Sequence, residues 1–238
     1  TFITVVLLYF LVPKSNMCNK NISKVEIIKS FQAMLGFCVE SRFWIVAPVI
    51  ISAQAVMFSY LYLWVGPWMR DVAKFDEIVA GMYMLYAFAG AALGYFLNGL
   101  VADLSMKKKI FSMEKLYLIF GAGLTIFSGI IMILNDKSAS FLWAIVMFFA
   151  NMTMIAFPIM QKLYANSEIG RVFSLLNFTI FLASFIFQWF IGVVLDFYPV
   201  ADGLFSPEGY RTSLAVIVIL NLAAVIHLYF ELKKRRII

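Results

Sequence analysis

The sequence predicts an all-α integral membrane protein built around a six-helix transmembrane bundle. Six long apolar stretches, near 43–65, 77–102, 115–135, 140–163, 171–196 and 211–231, are the first observation behind this. Each has the roughly 20 residues that a helix needs to cross about 30 Å of hydrocarbon. Composition is the second. Hydrophobic residues make up 63% of the chain and charged residues 13%, against about 45–50% and about 25% in a soluble domain. A water-soluble fold of 238 residues would have to carry that excess on its surface. Third, none of the stretches alternates strictly, as the short strands of a membrane barrel would. Uninterrupted helices satisfy their own backbone where no water can.

Along the chain, residues 1–12 are apolar but too short to span, so they read as the end of a preceding transmembrane helix. Residues 13–42 are the longest polar connection. Within it Ser23-Lys24-Val25-Glu26 has the form of a capping box. Val25, Ile28, Phe31, Leu35 and Cys38 then recur at helical spacing beside Lys20, Lys24 and Lys29. This pattern suits an amphipathic helix at the cytoplasmic membrane surface, or a weakly helical linker. The six-helix domain covers 43–232, and 233–238 form a basic cytoplasmic tail. Pro158 should weaken or kink the fourth full span, and Gly66-Pro67-Trp68 marks the outer end of the first. Small residues at Gly90-Ala91-Ala92-Leu93-Gly94 and at Gly99 favour close helix packing.

Lys and Arg set the orientation. With 13–42 in the cytoplasm, only Arg70, Lys74, Lys137 and Arg211 of the 19 basic residues fall on the other side. The positive charge of +6 follows from this bias and does not point to nucleic acid, since six apolar spans would interrupt any basic binding face. Cys18 and Cys38 lie twenty residues apart with no partnering His, so they suit reduced thiols better than a metal site. Neither a metal nor a cofactor is expected.

The sequence Gly99-Leu100-Val101-Ala102-Asp103-Leu104-Ser105-Met106-Lys107-Lys108-Lys109 resembles the cytoplasmic loop signature of the major facilitator superfamily. It matches at Gly99, Ala102, Asp103, Lys107 and Lys108. It departs at Leu104, where the family prefers a basic residue, and at Met106, where it prefers Gly. Ser41-Arg42-Phe43-Trp44 is similar to the start of that family's seventh helix, and Glu168-Ile169-Gly170-Arg171 to the start of its eleventh. The resemblance implies the C-terminal half of a twelve-helix transporter: the end of helix six, the central loop, and helices seven to twelve. It implies two inverted three-helix repeats, matched by Gly99-x-x-x-Asp103 and Gly192-x-x-x-Asp196. It further implies a partner N-terminal six-helix half, a small-molecule substrate with or without a coupling proton, and a bacterial inner-membrane location. Asp103, with Gly99, Lys107 and Lys108, would form a conformational motif holding the cytoplasmic side closed.

Polarity differs between spans. Those at 115–135 and 211–231 are almost wholly apolar apart from Thr125, Ser128, Asn221 and His227. The other four carry polar groups at mid-depth, including Ser59, Asn98 and Thr153, and such groups face the bundle interior or a wet cavity. Gln54, Tyr60, Tyr86, Asn151, Ser184 and Gln188 are therefore candidate cavity residues, with hydrogen bonding between helices as the competing explanation. The uncharged, aromatic lining favours a neutral or amphipathic organic solute. No charged residue sits in the middle of a full span, so a coupling carboxylate would belong to the partner half. Catalytic residues are not expected: there is a single His (His227), no paired-His acid motif and no nucleophile elbow. The alternative to transport is a half-length membrane module for binding or assembly.

Overall fold

The structure, a computed structural model, describes residues 24–108, 112–200 and 203–237. The expected helix end at 1–12, the Ser23 cap, Cys18 and the turn at Lys109 lie outside them. Residues up to Ala33 form one unit and Met34–Ile238 a second. The helix α1 spans Lys24–Gly36, with a 3-10 turn at Phe37–Val39 after it. The candidate site residues all belong to the second unit.

Six helices long and apolar enough to cross a membrane make up that unit: α2 (Ser41–Asp71), α3 (Glu77–Lys108), α4 (Met113–Leu134), α5 (Leu142–Leu163), α6 (Ile169–Asp196) and α7 (Pro207–Lys234). The all-α membrane bundle expected from the sequence is observed. Ends follow local chemistry. The Ser112 side chain accepts from Lys115 N–H to cap α4, and Ser206 caps α7 ahead of Pro207 in its first turn. Asn135 closes α4 in the left-handed conformation and donates through Nδ2 to the Pro207 carbonyl, 2.9 Å away. Asp136 then accepts from Ser138 Oγ and N–H, and these donors hold its carboxyl below the usual Asp range.

The first span runs to Asp71, past the end expected at Gly66-Pro67. Pro67 does not stop it because it lies in the first turn of a fresh α segment, Val65–Asp71, where a missing N–H costs nothing. Pro48, inside the same helix, cannot donate to the Trp44 carbonyl; His227 Nε2 of α7 lies 3.0 Å from that oxygen and fills the gap.

Most of the helix packing follows a two-fold pattern, the contact of α6 with α7 being the exception, since α3 and α4 do not pack likewise. α2 lies on α6 and α3 on α5; α2 also packs on α7 and α4 on α5; α4 pairs with α7. Exchanging α2–α4 with α5–α7 in order maps each of these pairs onto another or onto itself, as two three-helix repeats would. Between α3 and α5 the backbones touch. A Cβ on Gly90 would lie 2.0 Å from the Ala144 carbonyl oxygen, and one on Gly94 2.6 Å from that of Phe148. Gly99 is different: a Cβ there meets nothing within 4 Å, so its smallness serves no helix contact, contrary to the sequence expectation. Gly99 to Lys108 continue α3 as helix, with Asp103 exposed.

Candidate functional site

Two of the six spans break their regular backbone, and the polar side chains gather there. In α2 the helix widens to π geometry over Met57–Trp64, so that Val65 N–H reaches the Tyr60 carbonyl five residues back. Such wide turns offset carbonyls from their usual donors. Side-chain bonds to and from the neighbouring helix α6 cross this stretch. Gln188 Nε2 donates to the Phe58 carbonyl (3.2 Å), Trp64 Nε1 donates to the Gln188 carbonyl (3.3 Å), and Ser59 Oγ donates to the Ser184 carbonyl (3.1 Å). Ser184 and Gln188 are four residues apart, one above the other on the same face of α6. The Ser184 hydroxyl itself donates back to Ile180 (2.7 Å).

In α5 the break is a 3-10 turn at Thr153–Ile155, followed by α-helix from Ala156. Pro158, three residues after Ile155, has no N–H for the Met154 carbonyl, so the turn is a weakening of the helix of the kind expected from the sequence. Here α3 supplies the donor: Asn98 Nδ2 bonds to the Met152 carbonyl at 2.7 Å and lies 3.5 Å from that of Asn151. From α2, Gln54 Nε2 donates to the Ala150 carbonyl at 2.8 Å, which Thr153 Oγ1 also reaches at 2.6 Å. Asn151 Nδ2 donates to Met147 in its own helix. Gln54 Oε1 and Asn151 Oδ1 are buried and accept from no protein group among the described residues.

The six predicted residues thus fall into separate places. Ser184 and Gln188 meet α2 at its widened turn. Gln54 and Asn151 meet at the α5 break. Tyr60 is buried, with its ring 4.7 Å from that of Trp143. Tyr86 is exposed beside Tyr83 and Phe141 and lines an open, wholly apolar groove of about 290 Å³ between α3 and α5. Of the six, only Gln188 and Tyr86 retain appreciable exposure. Polarity at mid-depth selects residues that must not face hydrocarbon; it does not separate interhelical bonds from a wet lining.

Asp71 was not singled out by sequence reasoning. It ends α2 fully buried, and its Oδ2 accepts from Tyr210 Oη of α7 at 2.8 Å and from Phe205 N–H at 3.4 Å. Arg70 Nε lies 3.3 Å from Oδ1, its own side chain half exposed. Phe205, Tyr210 and Trp64 surround the group edge to face. Taking Pro67 as the helix end consigned Asp71 to a loop. An acid four residues beyond a first-turn Pro, at the inward position of a continuing helix, was the available signal. At the opposite end Arg42 lies over the Tyr164 ring (4.2 Å), donates to Glu40 and to the Leu163 carbonyl (3.2 Å), and so ties α2 to the end of α5.

If Gln188 serves the widened turn as its geometry indicates, Gln188→Leu should remove a bond that holds the Phe58 carbonyl to α6. The expected cost is about 0.6–2 kcal/mol, read as a lower unfolding temperature in detergent. Gln188→Glu at neutral pH should cost more, because it adds a charge and removes the donor. Equal stability of all three proteins would mean that the bond carries nothing.

No protein-family model matches this chain, and no curated protein matches it.

Proposed function

We propose that this chain is one half of a secondary active transporter that moves a small, uncharged or amphipathic organic solute by alternating access. One observation supports the reading above the others. The interrupted helices α2 and α5 occupy corresponding positions, each the first of three in its repeat, and each breaks just after the residue that links them (Gln54 to Ala150, 2.8 Å). Paired interruptions in matching helices of a repeat mark the substrate path in transporters, where irregular backbone must line a cavity or be covered by protein. The resemblance around Gly99 to Lys108 points the same way, toward the C-terminal half of a major facilitator superfamily member.

In this mechanism the bonds between α2 and α6 are the exchangeable part. They run from neutral side chains to main-chain carbonyls and are worth about 0.6 kcal/mol each on average in membranes. A solute with its own donors and acceptors replaces them at small cost as α6 shifts against α2. Gln188 and Ser59 would then be solute contacts, with exposed Tyr62 and Tyr86 offering aromatic walls. The partner is an N-terminal six-helix half, the setting a bacterial inner membrane, and the C-terminus lies in the cytoplasm with the Lys107–Lys108 end of α3. Asp103 would dock on the partner half to stabilise the inward-closed state.

Cysteine labelling in native membranes tests this. Single cysteines at Tyr62 and Gln188 should react with a membrane-impermeant maleimide, and solute should protect them. Cysteines at Ile126 and Ile219, exposed on α4 and α7, should stay unreactive in lipid. Absence of labelling at both Tyr62 and Gln188 would defeat the cavity reading and leave a binding or assembly module.

A further inference from the structure

The proposed transport role makes no use of one cleft at the basic end of the bundle, where α2 and α4 begin and α5 and α7 finish. A small cleft of about 60 Å³ opens there between these four helices. Its walls are apolar: Ile45 and Val46 from α2, Ile159 from α5, Leu228 and Leu232 from α7. The one hydroxyl lining it, Tyr117 Oη, is committed to the Val46 carbonyl at 2.7 Å. The interior therefore offers nothing to a polar ligand and suits a short stretch of alkyl chain.

The rim is charged. Arg235 and Glu114 line it, and Lys162 Nζ lies 3.8 Å from Glu114. Arg235 Nε lies 3.9 Å from Glu231. Both are ion pairs longer than a hydrogen bond, so the cations keep N–H groups that can donate to a further anion. Around this end Lys115, Lys233, Lys234 and Arg236 are also exposed, and the cations clearly outnumber Glu114 and Glu231. A guanidinium fork at the rim, with an ammonium next to the rim residue Glu114, suits a phosphodiester. Basic pockets between spans at a membrane surface hold anionic headgroups, each basic residue contributing about 1 kcal/mol.

We propose that this cleft binds one anionic phospholipid, its phosphodiester at Arg235 and Lys162 and the start of one acyl chain between α2, α4, α5 and α7. The apolar walls argue for a lipid over a free phosphate, because a soluble anion would leave them empty. This inference does not depend on transport.

The test is native mass spectrometry of the purified full chain, titrated with palmitoyl-oleoyl phosphatidylglycerol or with phosphatidylcholine of the same chains. One phosphatidylglycerol should be retained in preference to phosphatidylcholine. Arg235→Gln with Lys162→Gln should weaken it about 30-fold. Leu228→Trp, which fills the cleft and keeps every charge, should abolish the preference; Ile159→Phe is the second filling variant if the first does not fold. Glycerol phosphate, which has no chains, should not compete. Equal retention of the two lipids, unaltered binding in the charge variant or in the folded filling variant, or displacement by glycerol phosphate would each overturn the assignment.

Discussion

Gly90→Ala should push α3 away from α5 and destabilise the bundle by about 1–3 kcal/mol, the usual range for overpacking. The added methyl would sit 2.0 Å from the Ala144 carbonyl oxygen and 3.0 Å from the Ala144 Cα. Ordinary contact needs well over a further ångström, and the obstacle is backbone, which cannot rotate aside as a side chain can. The helices must therefore separate along their whole crossing, taking Gly94 off Phe148 and loosening the Asn98 bond to Met152. Intrinsic propensity acts in the opposite direction, favouring Ala over Gly in a helix by up to about 1 kcal/mol. Gly81→Ala and Gly99→Ala supply the comparison, since a Cβ at either position meets nothing within 4 Å. Thermal unfolding in detergent should rank Gly90→Ala well below the original chain and the other two at or above it. If all three behaved alike, the close crossing of α3 and α5 would be wrong.

How far the fold could be read depended on what each signal measures. Hydropathy senses the bilayer, so all six spans emerged, with ends misplaced by a few residues where polar termini such as Met106–Lys108 or Pro207–Tyr210 continue the helix beyond the apolar core. The Gly90–Gly94 contact was legible because small residues at that spacing have one main use in a membrane helix. The α5 interruption was legible from Pro158. The π-helical stretch of α2 was not: Met57–Trp64 contains neither Pro nor Gly, and the deformation is stabilised by Gln188 and Ser184 from a helix more than a hundred residues away. Asp71 failed for the converse reason. Its local sequence, beside Arg70 and after Pro67, looks like a surface turn, and only its bond to Tyr210 across the bundle shows it to be interior.

Asp71→Leu should be the most damaging single change at the end of the bundle where α2 finishes, costing about 3 kcal/mol. It strands the buried Tyr210 Oη and the half-buried Phe205 N–H, and an unmade bond to a charged or strongly polar acceptor costs about 1.5–3 kcal/mol. Arg70 contributes little to the balance. Its side chain is 54% exposed, its pairing is screened, and Arg70→Ala should change stability by under about 1 kcal/mol. The two effects are separable by a cycle. Tyr210→Phe alone removes one donor and leaves the carboxyl group with Phe205 N–H and Arg70. Combining it with Asp71→Leu removes donor and acceptor together, so the double variant should recover part of the loss, with a coupling of about 1–2 kcal/mol. Equilibrium unfolding of the four proteins measures this directly, and additive losses would sever the proposed link between the end of α2 and the start of α7. In the transport reading the link reaches the proposed solute path. Asp71 holds the connection that carries Phe205 against Trp64, and Trp64 in turn donates to Gln188 at the widened turn. In the transport reading, breaking the Asp71 contact frees the outer end while Arg42 keeps the inner end of α2 fixed on α5. Labelling of a cysteine placed at Leu204 should therefore rise in Asp71→Leu and remain at its original level in Arg70→Ala.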